Sequence, residues 1–358
     1  MSSEGPGRRA GTLAAAGFAL FLTRGLAAGA VLALGALPAA PPAGNAGPAS
    51  AYSPSPGPGP YAVEAVEVNW IDADRRREVP AKIYYPKRSG GPFPAIVFSH
   101  GLGGSRNDFE YLGRYWASHG YVSVHVQHAG TDSRVLSAPN PRETLLKAVK
   151  DPQLAIARLL DVTYAFDHLE ALQSEPGPLK GRINLKALAV AGHSFGAWTA
   201  LSTAGLASLG KNGEEPSLPD PRVRAVLLLS PPVPASKDRL ALRYEGIHVP
   251  CFHMTGTLDD SPLGDVKAAE RRIAFDHIAS ADQFLVTFSG GDHMAFSGRK
   301  PGSFGGENDA LLQDYVKTSS TAFWDAYLRG ETAAKAWLAG GALAAALGKD
   351  AKVEIRLH

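Results

Sequence analysis

The chain has 358 residues, 45% hydrophobic and 20% charged, enough apolar content for a sizeable core, which excludes disorder as the state of the bulk. Its 36 Lys and Arg against 34 Asp and Glu leave a formal charge of +2 with no long block of one sign, which excludes a nucleic-acid footprint. The single cysteine, Cys251, excludes an intramolecular disulfide, a redox pair and a sulfur-rich zinc site, and its apolar strand setting reads as core packing.

In chain order, Arg8 and Arg9 precede an apolar run of signal length, Ala10 to Leu22, and Arg24 separates it from a second run, Gly25 to Leu37. Residues 1–37 are therefore read as an export signal or a retained membrane anchor, although a charge in mid-span is costly for an anchor. The protein is expected to be exported, periplasmic or secreted, with membrane association through residues 10–37 as the alternative. A twin-arginine route is weakly supported, because Ala10 and Gly11 stand where bulkier apolar residues are expected. Residues 38–60 are almost entirely Pro, Gly, Ala and Ser, a composition that reads as a flexible linker. One catalytic domain is expected over 61–330. Residues 331–358 remain as a C-terminal extension with an Ala-rich helical stretch and a short strand pattern at Val353-Glu354-Ile355.

Candidate strands are Ala62 to Asn69, Lys82 to Tyr85, Ala95 to Ser99, Val122 to His125, Ala187 to Gly192, Ala225 to Leu229, Pro250 to Thr255 and Gln283 to Phe288. Helical patterns lie between them at Asn107 to His119, Pro152 to Leu172, Phe195 to Ala204, Leu263 to Ser280 and Asp309 to Leu328. Continuous apolar runs such as Ala225 to Leu229 suit strands covered on both faces. The alternation predicts an α/β fold with a mostly parallel central sheet of about eight strands flanked by helices, its reactive groups gathered at the carboxyl ends of strands.

Gly192-His193-Ser194-Phe195-Gly196 follows an apolar strand and opens a small-residue helix. A sharp strand-to-helix turn of this kind lifts a serine hydroxyl clear of the backbone, which makes Ser194 the candidate nucleophile. A serine needs a neutral imidazole to take its proton. In this arrangement the order along the chain is serine, acid, histidine. His293, in a Gly-rich loop past the strand Gln283 to Phe288, is the candidate base, because the other histidine beyond that strand, His358, is the last residue. Asp259, Asp260 and Asp265 follow the strand that holds Cys251. Asp259 is preferred as the acid, since Gly256 turns the chain and returns it toward the strand end first, leaving Asp260 a turn or capping role. Asp292 adjoins His293 and is not expected to reach its ring.

Backbone N–H groups aimed at the developing oxyanion are expected from Phe195, the residue after the nucleophile, and from Leu102 in His100-Gly101-Leu102-Gly103-Gly104. That glycine-rich stretch lacks the Gly-Lys-Ser/Thr ending of a phosphate loop and the spacing of a dinucleotide site.

Together, Phe98 to Gly104, Gly192 to Gly196, Thr255 to Asp260 and Gly291 to His293 make the chain similar to α/β-hydrolases of the group containing platelet-activating-factor acetylhydrolases, chlorophyllase-like and predicted dienelactone-hydrolase-like proteins, over about residues 61–330. The resemblance implies the α/β-hydrolase fold and hydrolysis of a small-molecule or lipid carboxylic ester through an acyl-enzyme, with no metal or organic cofactor. Dienelactone hydrolases proper carry cysteine at the elbow, so Ser194 sets that lactone reaction aside. The competing readings are a polyester hydrolase or peptidase on the same triad and, in another class, a non-catalytic binding protein. An insert between the fourth and fifth strands, Gln127 to Lys180, holds His128, Asp132 and Arg134, whose charges are read as a solvated face in preference to a pocket wall. Trp198 is read as core. Substrate identity and oligomeric state are left open.

Overall fold

The structure is a computed structural model that describes residues 52–87, 90–207, 217–234, 236–298, 306 and 308–358. The export-signal expectation for residues 1–37 lies outside them. Among the described residues, nine strands form one sheet in the order β1-β2-β4-β3-β5-β6-β7-β8-β9, where β1 is Val63–Asp72, β2 Arg77–Pro86, β3 Phe93–Ser99, β4 Val122–Val126, β5 Ile183–His193, β6 Val223–Leu229, β7 Cys251–Leu258, β8 Gln283–Asp292 and β9 Ala351–Arg356. From β4 to β8 every pairing is parallel, and antiparallel strands close both edges. This is the α/β-hydrolase fold.

The central strands are apolar on both faces because both faces are covered. Along β3, Ala95 and Val97 enter one core while Ile96 and Phe98 enter the other. The first core is closed by α3 (Pro152–Ser174) and α4 (Phe195–Thr203), through residues such as Val162, Phe166 and Leu201. The second is closed by α1 (Glu110–Ser118) and α7 (Asp309–Leu328), where Trp116 meets Trp324 edge to face and donates its indole N–H to Ser320. Among the described residues no helix is long and apolar enough to cross a membrane.

Several expectations change in the folded chain. The helix read at Leu263 to Ser280 reduces to a single turn, Ala268–Glu270, and a short helix, Ile273–His277. Asp260 captures the Ala268 amide and Arg271 is drawn inward to the backbone of Ser230, Pro231 and Asp259, so the local hydrogen bonds serve the loop rather than a helix. Of the stretch read as a flexible linker, residues 52–60 are tied to the domain: Tyr52 donates to Asp325, Tyr115 donates to the Ser55 carbonyl and the Gly59 amide donates to Ser118.

Residues 331–358 do not stand apart from the sheet. Two short helices, Thr332–Ala339 and Ala342–Leu347, place Leu338, Leu343 and Leu347 in the second core, and β9 then pairs antiparallel with β8 from Gln283↔Arg356 to Phe288↔Ala351. Without β9 the open edge of β8 would present unpaired backbone groups. Truncation after Gly330 is therefore expected to give an aggregating protein or to lower the melting temperature by about 10 °C or more. A soluble truncated chain that melts with the full chain would overturn that role for the tail.

Candidate active site

Strands β5, β7 and β8 run parallel, so their carboxyl ends share one edge of the sheet, with His193, Leu229, Met254 and Val286 at one level across it. Ser194 is the first residue past β5. Its φ of 55° and ψ of −118° fall outside the ordinary regions for a non-glycine residue, and its amide is pinned by the Leu229 carbonyl at 2.9 Å. The two flanking glycines are steric requirements. A side chain at Gly192 would run into the Gly196 carbonyl, and one at Gly196 would run into the Ser99 carbonyl.

Asp259 lies just past β7 and His293 just past β8, and the structure brings both to Ser194. His293 Nε2 is 3.0 Å from Ser194 Oγ, and its Nδ1 is 2.7 Å from Asp259 Oδ1. All three groups are buried or nearly so. Thr255 Oγ1 donates to the other Asp259 oxygen at 2.8 Å. Asp260, the alternative acid, is exposed and paired with Lys267, Asp265 is exposed, and Asp292 accepts the Met294 amide instead of turning to the ring. His358 is held at Asp282 through its backbone amide. Leu102 and Ser194 share the wall of a cavity of about 390 Å³, together with Phe109, Tyr111 and Met294. The Phe195 amide is the first of α4 and has no carbonyl four residues back within the helix.

Two partners of these groups were not legible in the motifs. Arg271, 3% exposed, places its Nε 2.7 Å from Asp259 Oδ1 and donates to the carbonyls of Ser230 and Pro231. One of its terminal nitrogens also lies 3.0 Å from His293 Nδ1. That nitrogen cannot both accept from Arg271 and donate to Asp259. The shorter contact to a carboxylate assigns the proton to Nδ1, directed at Asp259, and leaves Nε2 bare toward Ser194. Burial by itself would raise the Asp259 carboxyl, but the bond from His293 and the Arg271 charge outweigh it and hold Asp259 below the ordinary carboxylate value. The second partner, His193, packs against the His293 ring with 46° between the ring planes and donates from Nε2 to the His293 carbonyl at 2.9 Å, so it fixes the loop that carries His293.

The insert also departs from expectation. His128 and Asp132 are fully buried, while the Arg134 side chain is about half exposed. His128 bridges Ser99 Oγ at 2.9 Å and Asp161 at 3.0 Å, and Asp161 is clamped by Arg75 and Arg77, so these charges form an internal network under the loop His100 to Gly104. A solvated face was the wrong reading for His128, held between Ser99 and Asp161, and for Asp132, which accepts from Gln127 and Arg134, while the Arg134 side chain does reach solvent. Trp198 packs against the first core and, with Phe195, lines a separate pocket of about 280 Å³. Cys251 is buried, which pushes its thiol up to about 12, as core packing requires. Among the described residues, no three His, Cys, Asp or Glu side chains are gathered as for a metal ion.

The sheet order and the turn that carries Ser194 are those of the α/β-hydrolase fold. A family model, Platelet-activating factor acetylhydrolase, isoform II, matches residues 74–138, a stretch from the β1–β2 turn through the His100 loop into the insert. Relatives named platelet-activating factor acetylhydrolase are 27% identical over 152 residues in Cavia porcellus, 29% over 151 in Canis lupus familiaris and 28% over 145 in Bos taurus. The matched segments cover 35%, 34% and 32% of this chain and 35%, 34% and 33% of those proteins, so the chain spans about a third of the length of the curated relatives it matches. The chain is thus similar to the platelet-activating-factor acetylhydrolase group of α/β-hydrolases.

Buried histidines surround the site and the core. Burial, the largest cause in each case, lowers His125, His128 and His253 to about 4 and His193 to about 3, from an ordinary 6.5. The unfolded chain therefore binds protons in a range where the folded chain does not, and stability must rise with pH there. The contribution is fully present above about pH 6.5 and is lost progressively toward pH 4. Melting temperature should be level from pH 7 to 8 and fall steeply between pH 6.5 and 4. A level profile through that range would show that these rings are protonated or exposed in the folded protein.

Proposed function

We propose that the chain is a serine hydrolase that cleaves carboxylic esters of small-molecule or lipid type through an acyl-enzyme. The observation that carries this reading is the unbroken line Ser194 Oγ, His293, Asp259, with 3.0 and 2.7 Å between its members, at the wall of a cavity. A non-catalytic relative would have no need to hold a serine in a strained backbone conformation beside a bare imidazole nitrogen.

In this reading His293 Nε2 takes the Ser194 proton as Oγ bonds to the ester carbonyl carbon. The carbonyl oxygen gains negative charge, which the amides of Leu102 and Phe195 stabilise. Collapse of the tetrahedral species breaks the bond to the alkoxy oxygen, and the imidazolium returns its proton to that oxygen as the alcohol leaves. A water that gives its proton to His293 Nε2 then attacks the acyl carbon, the bond from that carbon to Ser194 Oγ breaks, and the imidazolium returns the proton to Oγ as the acid departs. Asp259 keeps the ring in the required tautomer and balances the imidazolium, while Arg271 limits the excess negative charge on the buried carboxylate. Segment 10–37 supports an exported enzyme.

The test is hydrolysis of p-nitrophenyl esters from acetate to palmitate. Ser194→Ala is expected to lower kcat about 10⁵- to 10⁶-fold with the fold retained, and unchanged turnover would reject Ser194 as nucleophile. For the acid, Asp259→Asn is expected to lose about 10⁴-fold in kcat while Asp260→Asn stays within about twofold of wild type. The reverse order would move the acid to Asp260.

A further inference from the structure

The peptide joining Gly101 to Leu102 is held from its carbonyl side. The Gly101 oxygen accepts two hydrogen bonds, from His100 Nδ1 at 2.6 Å and from the Gly104 amide at 3.1 Å. The bond is planar and trans, so the Leu102 N–H points away from that oxygen, and fixing one fixes the other. The tautomer of His100 follows from its second contact. The backbone N–H of His128 donates to His100 Nε2 at 3.1 Å, which leaves Nε2 without a proton and puts the ring proton on Nδ1.

Position 101 is a glycine beside the nucleophile, where a Cβ would sit tightly against His193 Nδ1 at 3.1 Å and at ordinary van der Waals distance, 3.5 Å, from the Ser194 side chain. Glycine gives the backbone freedom to rotate this peptide. A half-turn would replace the Leu102 N–H with a carbonyl oxygen at the place where the Ser194 reaction builds negative charge, turning stabilisation into repulsion.

We propose that His100 is a positioning residue for the oxyanion: its Nδ1–H, set by the His128 amide, holds the Gly101–Leu102 peptide so that the Leu102 N–H faces the reacting carbonyl. The inference rests on the Ser194 reading given above. The ring is 1% exposed, and burial first, then the neighbouring Arg158 charge, keep it well below the ordinary histidine value, so the proton stays on Nδ1 at working pH. Arg158 supports the same loop and reaches the elbow. It donates to the His100 carbonyl, to Ser99 Oγ at 3.0 Å and to Thr199 Oγ1 at 3.0 Å, and its guanidinium lies 4.5 Å from the Phe195 ring centre. Arg158 also donates to Thr131 Oγ1 at 2.8 Å, and the carbonyl of Thr131 accepts the Gly103 amide at 2.8 Å.

Two substitutions separate the contacts. His100→Asn keeps an N–H donor near the Nδ1 position, and His100→Gln places its polar group near Nε2, where it can still accept from His128. The proposal expects H100N within about threefold of wild-type kcat and H100Q lower by about 10- to 100-fold, with KM unchanged in both. It also expects H100Q to lose a similar factor in affinity for phenylboronic acid, whose tetrahedral adduct on Ser194 places an oxygen at the oxyanion position. Equal kcat and equal boronate affinity in folded H100N and H100Q would overturn it. A measurement on the intact wild-type protein, the two-bond nitrogen–proton spectrum of the His100 ring, is expected to show the Nδ1–H form. An Nε2–H form would overturn the proposal whether or not the variants fold. If Ser194→Ala keeps full esterase activity, the underlying reading fails. If that variant is inactive while H100Q turns over like wild type, the role of His100 alone fails.

Discussion

The constraint on which the site depends is the close approach of the start of α4 to the end of β3. Gly196 sits against the Ser99 carbonyl with no room for a side chain, and Gly192 sits against Gly196 in the same way. That contact bends the chain so sharply that Ser194 is forced to a positive φ. It also sets the Phe195 amide beside the loop His100 to Gly104, so the groups proposed to meet the oxyanion are placed by packing and not by flexible side chains. A strained turn of this type costs on the order of 1–3 kcal/mol and persists only where its surroundings over-determine it. Here the surroundings are β6, which pins the Ser194 amide through Leu229, and the apolar strands on either side.

Beneath the loop, the surroundings are polar rather than oily. Asp161, His128, Ser99 and Arg158 are all fully buried and joined by hydrogen bonds, with Arg75 and Arg77 reaching in from the β1–β2 turn. Such a network gives little net stability compared with apolar packing. What it supplies is direction. Each of its members has a fixed donor or acceptor role, and the loop above receives that order through the His100 carbonyl and the His128 amide.

The legible parts of the chain were those that a local pattern determines. Both-faces-covered strands such as Ala225 to Leu229 announce themselves as apolar runs, and the Ser194 turn by its glycines and its place between strand and helix. Asp259 was preferred to Asp260 on a turn read at Gly256; the structure keeps Gly256 within β7 and places Asp259, the first residue past that strand, 2.7 Å from His293 Nδ1. The illegible parts depend on contacts across the fold. Nothing adjacent to Arg271 marks it as the partner of Asp259, since Ser230, Asp259 and His293 meet it from three different loops. The helix expected over Leu263 to Ser280 failed for the same reason, its Ala268 amide being claimed by Asp260 and Arg271 by the site. The tail was set aside because a six-residue strand carries little signal until β8 is there to receive it. His128 and Asp132 were read as surface because an isolated charge in a sequence is usually exposed, and the burial of His128 depends on partners distant along the chain, Ser99 and Asp161.

Arg271 also bears on why the site tolerates a fully buried acid. An unpaired carboxylate out of water would take up a proton, and a neutral Asp259 would no longer fix the proton on His293 Nδ1. The His293 hydrogen bond alone would leave the pair with a net negative charge in a dry setting. Arg271 cancels that charge at 2.7 Å, and its Nε and one terminal nitrogen also donate to the carbonyls of Asp259, Ser230 and Pro231, so it is itself held without a second acid. The arrangement makes the ionised state of Asp259 a property of the fold, set by the loop after β6 and the turn at Ala268–Glu270, before any substrate enters the cavity.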